Sequence, residues 1–169
     1  MNTRKTVRKW FWVWEFEKEE QWLNTMAQSG WVLDGVGFAT YHFIACEPGE
    51  YTVRLEMHDR DDNYVSFMEE CGAEYVGRMG MWMFFRKKTA DGTFDIFSDI
   101  DSRIAHVKKI GKALTAIGFA NLAIGLAASL NPSVRAGWIN LLCATVLMYG
   151  VGRIHGKQET LEQKRMLVE

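Results

Sequence analysis

The 169-residue sequence has almost no net charge to offer a polyanion: 20 Lys and Arg against 21 Asp and Glu leave a formal charge of −1. A general nucleic-acid binder usually carries a basic excess, so that class is set aside. Cysteine is scarce and odd in number. Cys46, Cys71 and Cys143 stand without framework spacing and read as reduced thiols in a cytosolic or membrane setting, not as disulfide staples. No secretory leader is read at the start: Met1–Lys9 is basic, but the next run is rich in Trp and Phe, breaks at Glu15 and lacks a small-residue cleavage site. No nucleophile motif, phosphate loop or dinucleotide fingerprint occurs, so the reading is a non-enzyme without a cofactor. His42 and Cys46 make at most half a metal site, since no second pair lies at ligand spacing. Glu19-Glu20 and Asp61-Asp62 fall in the first turns of expected helices, where compensation of the helix dipole accounts for them.

Charge is also missing locally. Residues 113–130 contain none, and after Asn131-Pro132 neither do residues 136–152. Each run is near the lower length limit for crossing about 30 Å of hydrocarbon. The apolar side chains of the first, Leu114, Ile117, Phe119, Leu122, Ile124, Leu126 and Leu130, contribute about −2 to −4 kcal/mol to insertion. The two helices are therefore expected to enter as a pair, with a buried helical hairpin of a soluble protein as the alternative. Arg103, Lys108, Lys109 and Lys112 precede the first run; Arg153, Lys157, Lys164 and Arg165 follow the second; the loop holds only Arg135. The positive-inside rule then puts both termini in the cytoplasm. Gly118, Asn121, Gly125 and Ala128 share one face of the first helix, with Asn140 and Ala144 on the second. Such residues permit close helix approach, and Asn121 reads as glue between helices rather than as a substrate ligand.

Residues 8–88 read as a duplication with an offset of 42 residues. Lys18-Glu19-Glu20-Gln21-Trp22-Leu23-Asn24 corresponds to Arg60-Asp61-Asp62-Asn63-Tyr64-Val65-Ser66, and Met26, Gly30, Gly35 and Phe43 correspond to Met68, Gly72, Gly77 and Phe85. Each half is expected to run strand (9–15; 51–57), helix (17–29; 61–71), a glycine C-cap at Gly30 or Gly72, and two strands around Gly35–Gly37 or Gly77–Gly80. Pro48-Gly49 is the turn between the halves. The fold class is thus α+β: a duplicated β-α-β-β antiparallel sheet (1–88) with two helices on one face. A connector (89–112) follows, then the transmembrane hairpin (113–152) and a cytoplasmic tail (153–169). Phe97, Ile100, Ile104 and Val107 make the connector an amphipathic helix, capped at Ser98 or Asp99.

Side chains on a strand alternate between faces. Phe11 and Val13 match Val53 and Leu55 in the repeat, so this set is expected to face the helices together with Tyr41, Phe43, Met83 and Phe85. Trp10, Trp12, Trp14, His42, Ile44, Arg54, Glu56, Trp82, Phe84 and Arg86 then point the other way. So many aromatics on an open face mark either a surface covered by a second layer or an interaction surface. The candidates to cover it are the connector or another subunit, a protein or peptide partner, and a small amphipathic ligand.

The pattern of Lys9-Trp10, of Glu19-Glu20-Gln21-Trp22-Leu23 with Gly30-Trp31, and of Phe97-Ser98-Asp99-Ile100-Asp101-Ser102 resembles a bacterial family, domain of unknown function 2812. That resemblance covers about residues 7–110. It implies a short protein of the bacterial cytoplasmic membrane, frequently encoded beside PadR-type repressors, and it supplies no catalytic residues. The doubled layout also looks like the gyrase-inhibitor-like ligand-binding fold, in topology only. The functional expectation is a membrane-tethered sensor or regulatory binding module that recognises a ligand or peptide on its aromatic sheet face. The rival is a structural adaptor or subunit, in a homo-oligomer or with a protein partner, whose tryptophans are permanently buried.

Overall fold

The computed structural model describes residues 3–59, 61–97, 99–130 and 137–168. Two compact units result, Met1–Ile96 and Phe97–Glu169. The first contains β1 (Arg4–Arg8), α1 (Phe16–Gln28), β2 (Trp31–Gly37), β3 (Thr40–Ala45), β4 (Tyr51–Met57), α2 (Asp62–Glu70), β5 (Glu74–Met79) and β6 (Trp82–Lys88). The strands form two three-stranded antiparallel ladders, β1-β3-β2 and β4-β6-β5, in place of the one sheet expected.

The duplication is written into the geometry. β2 and β3, advanced by 42 residues, fall on β5 and β6, and the third strand is central in both ladders. Each hairpin has its register shift at the same place, between Leu33 and Gly35 and between Tyr75 and Gly77. Both helices stop at a left-handed glycine, Gly30 with φ 82° and Gly72 with φ 81°, a conformation that only glycine adopts without strain. At the start of α2 the Asp61 carboxylate accepts a hydrogen bond from Asn63 N at 2.9 Å. Arg60, part of the repeat, lies outside the described residues.

The first strand departs from expectation. It is Arg4–Arg8, not residues 9–15. Residues 9–15 join β1 to α1 and finish in a single 3-10 turn, Val13–Glu15. There Glu15 N donates to Trp12 O at 2.7 Å, and Trp12 N donates back to the Glu15 carboxylate at 3.3 Å. Such reciprocal bonding bends the chain, so the alternation of Trp10, Trp12 and Trp14 is not the alternation of a strand.

The register of β4 on β6 corrects a second expectation. Leu55 lies opposite Phe84, Val53 opposite Arg86 and Met57 opposite Trp82. Directly opposed residues share a face, so Val53 and Leu55 stand with Trp82, Phe84 and Arg86 and not with Met83 and Phe85. Both faces of this ladder are covered. Met83 and Phe85 pack with Met68, Ala73 and Phe94. On the other face Leu55 and Phe84 are buried, and Phe16 at the head of α1 stacks on Trp82 at 5.5 Å.

Helix α1 has two tasks. Its Trp22 meets Tyr41 and Phe43 of β3 at 5.0 and 5.7 Å, while Leu23 and Ala27, one turn apart, are fully buried. On its flank Asn24 forms two 2.9 Å hydrogen bonds with Val53, donating to its carbonyl and accepting from its N–H. Leu55 N donates to Glu20 at 3.3 Å. Side chains thus satisfy the backbone along the open edge of β4, which would otherwise invite another strand.

The second unit is a helical hairpin of α3 (Ile100–Ser129) and α4 (Gly137–Val168). Asp99 is the N-cap of α3, accepting from Ser102 N at 2.7 Å; Ser98, the other candidate cap, lies outside the described residues, as does the 131–136 loop with Arg135. The expected connector helix and first apolar run are one continuous element. Likewise α4 continues through most of the expected tail. With mean hydropathy of 1.5 and 1.3 in their most apolar stretches, both helices are long and apolar enough to cross a membrane.

Candidate functional site

Lys9 N donates to Ala39 O at 3.1 Å, which pins the irregular 9–15 segment to the tip of the β2-β3 hairpin. That tip carries Phe38, 80% exposed. Trp10 therefore reaches Phe38, edge to face, with ring centroids 5.5 Å apart, and on its other side meets Trp12 at 5.7 Å. Trp12 in turn stacks on Trp14 at 4.9 Å with the rings nearly parallel. Trp14 is 6% exposed, whereas Trp10 and Trp12 are 53% and 44% exposed. One indole is thus a buried base on which the others are mounted. Such aromatic contacts are each worth about 0.5–1.5 kcal/mol, enough to hold the outer rings in place without covering them. Val13, next in the chain, is 39% exposed.

Basic residues lie on the same segment and on β1. Lys9 Nζ lies over the rings of Phe11 and Trp22, 4.9 and 4.5 Å from their centroids. Arg4, Lys5 and Arg8 are exposed along β1. Phe38 is absent from the sequence-derived set because nothing in a two-residue turn demands an aromatic. Its signal was there all the same: a bulky apolar residue at a tight turn serves no fold requirement.

The other expected site residues disperse. Trp82 and Phe84 are core, as described, and so cannot present an open aromatic face. His42 is exposed, 3.0 Å from Thr6 Oγ1 through its Nδ1. Arg54 pairs with Glu20 at 3.3 Å, and Tyr64 donates a hydrogen bond to Glu56. Arg86 is a clamp between the ladders: it donates to Leu33 O at 2.8 Å and to Glu74 at 2.8 Å, lies 3.6 Å from Asp34, and sits over the Tyr51 ring at 5.4 Å.

Buried ionisable groups are similarly engaged. Burial pushes the Glu19 carboxyl above its ordinary range, against the opposing effect of the hydrogen bond it accepts from Tyr41 at 2.6 Å. Burial likewise raises Glu20, with Arg54 pulling the other way. Among the described residues no group of three or more His, Cys, Asp or Glu is placed to hold a metal. The three cysteines are unpaired with one another.

In the hairpin, Gly118 and Gly125 sit where α3 meets α4. A Cβ at Gly125 would come within 2.7 Å of the Leu141 side chain and 3.0 Å of its backbone N; one at Gly118 would lie 2.7 Å from Met148 Cε. Asn121 hydrogen-bonds back to Ile117 O of its own helix at 2.9 Å, in place of the expected bond across the pair. Asn140 is half-buried. Outward, α3 and α4 expose Phe119, Ile124, Leu126, Trp138, Leu142 and Tyr149.

The family model described as protein of unknown function (DUF2812) matches residues 15–119. The chain belongs to this family. No curated protein and no solved structure matches it. The DUF2812 match begins at Glu15, spans α1 through β6 and reaches Phe119 within α3. Phe38 lies inside it, and Trp10 and Trp12 just before it.

Proposed function

We propose that the protein is a membrane-tethered binding module of the bacterial cytoplasm. In this reading α3 and α4 cross the membrane with both termini cytoplasmic, and the patch of Trp10, Trp12 and Phe38 recognises a protein or peptide partner. The observation that carries it is the contiguous exposure of those three rings above a buried Trp14. Trp and Arg are the residues that anchor binding hot spots, and contiguous apolar exposure on a soluble unit marks an interaction site. Phe38 stands out at a hairpin tip, a shape suited to entering a partner's groove rather than enclosing a small molecule. Catalysis is disfavoured because the best-buried carboxylates and Arg86 are already spent on structural bonds.

The tether is supported by the bulky apolar side chains that α3 and α4 turn outward and by basic residues at the far ends of both runs. A photocrosslinking amino acid at Phe38 in the membrane-bound full chain is expected to give a discrete adduct, lost in Trp10→Ala/Trp12→Ala. Indistinguishable adduct patterns in the two proteins would remove the patch from the reading. An adduct of fixed stoichiometry under all growth conditions favours the constitutive adaptor; one that comes and goes favours the regulatory module. Orientation is tested by C-terminal fusions: a fluorescent protein should be active, and alkaline phosphatase, which needs an oxidising compartment, inactive.

A further inference from the structure

A cavity of about 420 Å³ opens between α3 and α4. One end is lined by Lys108, Lys112, His155 and Gln158, the other by Ala116 and Val151. The chemistry changes along its length at the residues where the uncharged runs begin and end, after Lys112 on α3 and at Gly152 on α4. Cationic and hydrogen-bonding groups thus stand directly above an apolar slot.

From this arrangement we infer that the groove binds an anionic phospholipid, its negatively charged headgroup held at Lys112 and its acyl chain laid along Ala116 and Val151. The inference rests on the membrane reading of the hairpin. Three of the polar groups at that end are already engaged within the hairpin: Lys108 pairs with Glu162 at 3.0 Å, Gln158 donates to the same carboxylate at 3.0 Å, and His155 lies 3.3 Å from Glu159. Lys112, among the described residues, has no carboxylate at ion-pair distance, so its ammonium is the group available to a ligand's charge. A basic pocket between membrane helices on the cytoplasmic side suits such a headgroup. An inorganic anion would use the cationic end and leave the apolar slot idle.

The test uses the full chain in a neutral detergent, with lipid occupancy read by native mass spectrometry. Palmitoyl-oleoyl phosphatidylglycerol should be retained in preference to the matching phosphatidylcholine. Lys112→Gln should weaken its retention about fivefold, roughly 1 kcal/mol, and Lys112→Arg should restore it. Ala116→Phe, which fills the slot without altering charge, should also lower retention, with helix content by circular dichroism unchanged. Equal retention of the two lipids, or of phosphatidylglycerol by wild type and both weakening variants, overturns the inference. So does binding of inorganic phosphate as tight as that of the lipid and indifferent to Ala116→Phe, which would identify a bare anion site. Alkaline extraction of native membranes separates the premises: a chain released by carbonate ends the tether reading itself, whereas a retained chain that fails the lipid arms ends only the lipid site.

Discussion

Arg86 binds groups on three strands, Leu33 and Asp34 of β2, Glu74 of β5 and the Tyr51 ring of β4. Lysine cannot reproduce that fork, because its single ammonium lacks the planar array of donors. Arg86→Lys and Arg86→Met are therefore both expected to destabilise the chain, by roughly 2–4 kcal/mol, as read by denaturant unfolding; equal stability for either would deny the clamp. His106 gives a different residue-scale test. Burial, with the nearby charge of Lys109 second, pulls its pKa down to about 4. The unfolded chain then binds a proton between the ordinary value near 6.5 and about 4, and the folded chain does not. Stability tied to His106 is therefore complete above that window and lost as pH falls through it. The wild-type minus His106→Gln difference in thermal midpoint should narrow from pH 7 to pH 4.5, and a pH-independent difference would contradict the assignment. At this scale the sequence was a partial guide. Leu23, Tyr41 and Phe43 could be placed inward from periodicity, but Trp14 and Phe84 could not, because their burial depends on which segment folds over them.

Elements were more legible where glycine punctuated them. Gly30 and Gly72 end α1 and α2, and the hairpins that follow are matched even in their bulges, so one half could be read from the other. β1 was hidden because Arg-Lys-Thr-Val-Arg carries no alternating apolar set; it is an edge strand held by backbone pairing to β3. Residues 9–15 misled for the converse reason, since their alternating tryptophans imitate a strand while Glu15 folds them into a turn. In the second unit the charged composition of the tail sets it apart from the apolar helix, yet Lys108–Glu162 and Arg165–Asp101 pairs, each at 3.0 Å, run along its helical extension. Gly118 and Gly125 approach α4 equally closely, but at Gly125 the neighbour is less able to yield. A side chain there meets backbone as well as the Leu141 side chain, so relief requires the helices to part. Gly125→Leu is expected to destabilise the α3–α4 pair by about 2 kcal/mol or more, measured by unfolding in detergent, whereas Ala127→Leu on the exposed face should be nearly neutral.

At the scale of the molecule, an α+β unit with a mounted aromatic cluster and a hairpin with an apolar exterior occur in one chain. Both were visible in the sequence as a contrast between charged, aromatic residues and uncharged runs. The position of the cluster was not, because it depends on an irregular segment being pinned to a hairpin tip by one backbone hydrogen bond. The lipid groove was equally hidden, since it exists only where two helices distant in sequence run side by side.

From its capping box at Asp99 to Ser129, α3 is a single rod about 45 Å long. It holds no proline and runs as one helix to Ser129, so its residues keep a single helical phase, and adding one residue within it would turn everything beyond by about 100°.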